Sequence, residues 1–177
     1  MRNLFPILAI GSLALFAFSC KSTKSTASAT TEASTAAATI QSEPQMLASI
    51  ERTACYGRCP MYKATFMDNG EVIYVGKRFV EKIGTYRTLL SAEEVQQIEK
   101  NIVAYNYFGL DSLYPTPISD FPSVITEAYL NGKRKKVVDM RNPPENLSDF
   151  EKFLDGLLAG KELEKLSDET NYNIKAK

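Results

Sequence analysis

The stretch Ala54-Cys55-Tyr56-Gly57-Arg58-Cys59-Pro60-Met61 constrains this chain more than any other. Cysteines four apart would meet on one face of a helix, but Gly57 and Pro60 both oppose a helix here. In a straight strand the same two residues would stand about 13 Å apart, whereas a disulfide needs Cα atoms within about 4.4–6.8 Å. A bridge between Cys55 and Cys59 therefore requires a sharp turn. Gly57 can take the positive φ that such a turn uses. Pro60 then favours an extended Cys59 and the start of a strand.

Three uses of the pair stand side by side. The first is a structural disulfide, suited to an exported protein. The second is a redox pair, although reactive pairs favour Cys-x-x-Cys at a helix N-terminus, and here a strand is expected to follow. The third is a soft-metal site. Cys-x3-Cys-Pro resembles the motif of the Sco-type copper chaperones, which add a histidine ligand. This chain has no histidine, so two thiolates alone would have to hold an ion such as Cu(I).

The N-terminus supplies the expected address. Arg2 precedes an apolar run from Leu4 to Phe18 that ends at Ser19-Cys20. A basic start and a short hydrophobic segment are the marks of a signal peptide over 1–19. A spanning helix needs about 20 apolar residues, and no later segment reaches that. Ala17 and Ser19 before Cys20 resemble a relaxed bacterial lipobox, which implies cleavage before Cys20 and a lipid on its sulfur. The arithmetic agrees: of three cysteines, lipidation of Cys20 leaves an even pair. Lys21 and the lack of a following acidic run point, by resemblance to sorting signals, to a periplasm-facing anchor in the outer membrane. Residues 20–45 are rich in Ser, Thr and Ala and cannot bury enough surface to offset ordering entropy, so they read as a lipid-anchored tether.

One domain is expected over 46–160. Met46–Thr53 reads as a strand. Met61–Met67 alternates, with Tyr62, Ala64 and Phe66 on one face, and Asp68-Asn69-Gly70 signals a hairpin into Glu71–Gly76. Gly84–Leu90 is a further strand. Ser91-Ala92-Glu93-Glu94 is a capping box, and the helix it opens carries Val95, Ile98, Ile102 and Tyr105 on one stripe. Leu110–Ser123, with three prolines, reads as a loop. Val124–Leu130 and Lys133–Asp139 flank Asn131-Gly132, a second hairpin turn. A last helix, Leu147–Ala159, capped by Asn146, presents Phe150, Phe153, Leu154, Leu157 and Leu158. Residues 161–177 read as a polar tail. The pattern predicts an α+β two-layer sandwich, with an antiparallel sheet of about five to six strands and two helices on one face. The other face is expected to be partly open to a partner.

Cys55-Tyr56-Gly57-Arg58-Cys59-Pro60-Met61-Tyr62 resembles the opening signature of a bacterial envelope family, domain of unknown function 6438. The Asn-Gly hairpin, the helix opened by Ser91, Asp120-Phe121-Pro122 and Gly132-Lys133 follow in the family's order. The resemblance covers about 46–160. It implies architecture and lipoprotein character, and no chemistry.

Without histidine, Ser-His-Asp and Cys-His nucleophile systems and most zinc sites are excluded. Lysine plus arginine equals aspartate plus glutamate, 21 each, so no global field favours nucleic acid. Candidate binding residues are Tyr56 and Arg58 at the tip of the cysteine turn, Tyr62 beside it, and Asp120, which also suits an Asx-turn. The basic run Lys133–Lys136 would divide between the two faces of a strand. The expectation is a non-enzymatic, lipid-anchored periplasmic binding or structural module, with no catalytic residues, cofactor or metal. Its partners would be the membrane through its lipid, and an envelope protein or glycan. The alternative is a thiol-based redox or copper-handling protein that uses Cys55 and Cys59.

Overall fold

A computed structural model describes residues 43–118 and 121–171. Eight strands form one sheet: β1 (Met46–Arg52), β2 (Met61–Met67), β3 (Glu71–Arg78), β4 (Gly84–Leu89), β5 (Leu113–Tyr114), β6 (Val124–Leu130), β7 (Lys133–Asp139) and β8 (Glu164–Ser167). Two helices, α1 (Ala92–Ala104) and α2 (Glu145–Gly156), complete the fold. The strand order is β5-β7-β6-β1-β2-β3-β4-β8. Every pairing is antiparallel except β5 with β7.

The class is α+β as expected, but the sheet has eight strands rather than five or six. The two extra strands are its edges. β5 has two residues inside the proline-bearing loop, and β8 has four polar-rich residues inside the expected tail. Neither carries the alternation or length that marks a strand in sequence. Both edges are short and β8 is charged, which discourages pairing with other chains.

One sheet face carries Ala48, Ile50, Ala64, Phe66, Val72, Tyr74, Ala128 and Val137. They join Ile98 and Ile102 of α1 and Leu147, Phe150 and Leu154 of α2 in a single core. On the other face the central Ser49, Thr65, Ile73 and Val75 are buried as well. Towards its rim that face is open, as at Leu89, Arg134 and Lys136. Lys77 reaches across it to Glu51, at 2.7 Å.

Local signals explain the joints. Ser91 accepts from the Glu94 amide and the Glu94 carboxylate accepts from the Ser91 amide, so the capping box forms. Asn131 and Gly132 both hold positive φ, 51° and 75°, as the twist of a two-residue hairpin demands. The second helix departs from expectation at its start. Pro144 is its N-cap, and Asn146 lies inside the first turn, where its amide donates to the Tyr105 carbonyl at 2.7 Å and ties α2 to the end of α1.

Candidate functional site: the disulfide-braced end of the sheet

Strand directions bring six strand ends together at one end of the sheet. Arg52 pairs with Tyr62 and with Val124, Met61 with Arg78, Gly76 with Gly84, and Val124 with Asp139. The connections after β1, β3 and β7, and the one that leads into β6, therefore all emerge here.

The first of these connections is the cysteine turn. Cys55 and Cys59 are bonded, with Cα atoms 5.8 Å apart. Gly57 donates to the Cys55 carbonyl at 2.8 Å. Thr53 bonds to Ser123 through both backbone and hydroxyl, at 2.8–3.1 Å, which ties this turn to the loop before β6. Tyr56 does not pack on the bridge: it is 95% exposed, more than any other large hydrophobic among the described residues.

The β3–β4 turn lies beside it. A Cβ on Gly76 would fall 1.8 Å from the Lys82 carbonyl oxygen, so only glycine lets this turn close. Phe79 holds φ 54°, a conformation rare for a bulky side chain and costing roughly 1–3 kcal/mol. Its ring is partly exposed and receives two guanidiniums, Arg58 at 5.6 Å and Arg78 at 4.8 Å. Lys82 lies over Tyr86 at 5.8 Å, and Arg141, after β7, lies over Phe121 at 5.3 Å.

Behind this rim is a polar cluster on the helix side. Arg52 and Tyr62, opposite each other on β1 and β2, both donate to the Asp155 carboxylate of α2. Arg52 Nε also lies 3.3 Å from the Tyr62 hydroxyl. The bridge closes the hairpin on which these two side chains sit, so it fixes the grip on α2 as well as the exposed tip. Burial and the Asp155 carboxylate push the Tyr62 hydroxyl well above its ordinary value. Tyr62 also stacks on Tyr74 with centroids at 5.5 Å, and Tyr74 meets Tyr86 edge-on at 6.3 Å. Burial first, then the neighbouring Tyr86, pushes Tyr74 up to about 12.

Asp139 and Glu151 complete the cluster. Both are more than nine-tenths buried, and one oxygen of each lacks a hydrogen-bond partner. Burial and the Asp139 charge push Glu151 up to about 8, against the weaker pull of Arg52. Burial also raises Asp139. One guanidinium cannot neutralise three carboxylates, so a proton held on Glu151 near neutral pH relieves the excess charge. Among the described residues no cluster of Cys, Asp and Glu has the geometry to hold a metal ion.

The candidates from sequence divide accordingly. Tyr56 and Arg58 reach the exposed rim. Tyr62 is half-buried and serves the internal cluster instead. Cys20 and Asp120 lie outside the described residues. Sequence reasoning missed Arg52, Asp155, Asp139, Glu151, Arg78 and Phe79. One signal was available: Glu151 stands on the apolar stripe of α2 between Leu147 and Leu154.

A comparison with curated proteins finds no match. The family described as Domain of unknown function (DUF6438) matches residues 47–158, from the second residue of β1 to just past α2 and well over half of the chain, and the chain belongs to that family.

Proposed function

We propose that this protein is a lipid-anchored, non-enzymatic binding module of the bacterial envelope, periplasm-facing on the outer membrane, that docks through the disulfide-braced end of its sheet. The observation that carries the reading is the near-complete exposure of Tyr56 on a turn closed by Cys55–Cys59. A bridged five-residue turn presents its side chains at low entropic cost, and Tyr and Arg are frequent anchors of interfaces. The pair also sits between two strands, with no helix N-terminus to stabilise a thiolate, which favours a brace over redox or copper chemistry.

A photo-crosslinking amino acid at position 56, in the full chain in its native envelope, tests the contact face. The expected result is a specific adduct at position 56 and none at Val103 on α1, which is also exposed. Equal labelling at both positions, or none, refutes the contact face. Mass spectrometry of exported protein tests the brace. A bridged pair is expected, and free thiols with bound Cu(I) would move the assignment to metal handling.

A further inference from the structure

We infer that the disulfide-braced end makes a direct contact with an anionic lipid surface, separate from any attachment through Cys20. The inference rests on the contact face proposed above and names what that face touches. Five of the nine exposed large hydrophobics among the described residues stand on the connections at this end: Tyr56, Phe79, Ile83, Ile118 and Phe121. All four cation–aromatic contacts among the described residues lie here too, made by Arg58, Arg78, Lys82 and Arg141. None of these cations is paired with a carboxylate among the described residues. Among the described residues, opposing charge on the rim itself is limited to Glu81, exposed in the β3–β4 turn, and to Asp168 and Glu169 after β8, with Asp168 already held by Lys165. Asp139, Glu151 and Asp155 stand behind the rim, with Arg52 against them.

The shape and the mixture decide the kind of partner. The apolar groups are spread over separate loop tips and interleaved with cations, and Tyr56 projects outward. A protein-binding core would gather its apolar groups into one patch with lysine depleted. Aromatic rings at headgroup depth with arginine and lysine beside them are what a bilayer interface accepts. Each cation near an anionic surface adds about 1 kcal/mol, or roughly fivefold in binding. A guanidinium stacked on an aromatic ring can follow the ring into the interface and keep its charge towards phosphate. The strained Phe79 backbone holds one such ring between Arg58 and Arg78.

The chain contains no tryptophan, so Tyr56→Trp in the full-length protein places one reporter at the tip. Its emission is read with vesicles of phosphatidylcholine, with and without phosphatidylglycerol, and with lipids brominated on their acyl chains. The expected result is a blue shift and quenching that require phosphatidylglycerol and weaken with salt. Adding Arg58→Ala and Arg78→Ala should lower apparent affinity about thirtyfold. Val103→Trp should report no change, which separates contact at this end from anchoring elsewhere in the chain. A response indifferent to lipid charge or to the two arginines overturns the inference, and so does no response at all. If the vesicles give nothing while position 56 still cross-links to a protein in the native envelope, the contact face stands and its occupant is that protein. If position 56 gives neither signal, both readings fall.

Discussion

Replacing Glu151 by glutamine should stabilise this protein, and by more as pH rises. Glu151 is buried on α2, with Asp139 of β7, Arg52 of β1, Asp155 and Lys152 of its own helix, and Tyr107 as its charged or titratable neighbours. Its carboxyl titrates at about 8 in the fold, against an ordinary 4.5. Between those values the folded protein holds a proton on Glu151 that the unfolded chain releases. The native state binds more protons, so stability falls as pH rises, by about 1.4 kcal/mol per pH unit for one proton. The loss begins near pH 4.5 and is complete near pH 8. Summed over that window it reaches about 4–5 kcal/mol at most, since any water that reaches the carboxylate reduces it. Glutamine keeps the shape and removes the titration. Relative to wild type, Glu151→Gln should be near neutral at pH 4.5, more stable by about 3 kcal/mol at pH 7, and level above pH 8. Urea unfolding followed by circular dichroism, extrapolated to water at each pH, measures the gap. Carboxylates held below their ordinary range, such as Glu94 beside Lys161, titrate alike in both proteins and cancel. A gap that does not change between pH 5 and pH 8 would refute the proton on Glu151.

Three further perturbations test the frame around the site. Cys55→Ala/Cys59→Ala should stay folded, since the loop-entropy relation gives a five-residue ring only about 2 kcal/mol. The same double variant should lose labelling at position 56, which thermal melting and cross-linking read together. Ser91→Ala should cost about 1 kcal/mol through loss of the capping box, and Leu154→Ala about 2–5 kcal/mol from the core. Equal, negligible losses in denaturant titration would contradict the packing of both helices. Cys20→Ala should abolish lipid labelling and release the protein into the soluble fraction, and retention with labelling would show that Cys20 is not the anchor.

The sequence was legible where a local rule has one reading. Asn131-Gly132 demanded a hairpin, Ser91 to Glu94 demanded a helix start, and both formed. The cysteine turn was legible as geometry, because Gly57 and Pro60 oppose a helix and two cysteines four apart in an extended chain can bond only across a bend. Legibility failed where a partner far along the chain decides the outcome. β5 and β8 are strands because β7 and β4 offer them backbone groups to pair with, not because Leu113-Tyr114 or Glu164–Ser167 carry a strand pattern. Asn146 looked like a cap by residue type, but the Tyr105 carbonyl was the better use of its amide.

The polar cluster shows the same limit at the site. Arg52, Tyr62 and Asp155 lie on two strands and a helix, and no spacing rule joins residues about a hundred positions apart. What joins them is register. The bridged turn sets Arg52 opposite Tyr62, and α2 lays Asp155 across both. The same turn therefore acts inward and outward at once. Inward, it fixes the two donors that hold the carboxylate end of α2. Outward, it fixes Tyr56 and brings Arg58 against Phe79. A contact at the exposed tip can then be felt at α2 through Arg52 and Tyr62. Asp155→Asn separates the two directions: it should loosen α2 and lower stability while leaving the Tyr56→Trp response to anionic vesicles within about twofold, a change of under 0.5 kcal/mol. A large loss of that response in a folded variant would mean that the rim depends on the grip behind it, and that the bridge alone does not set the contact face.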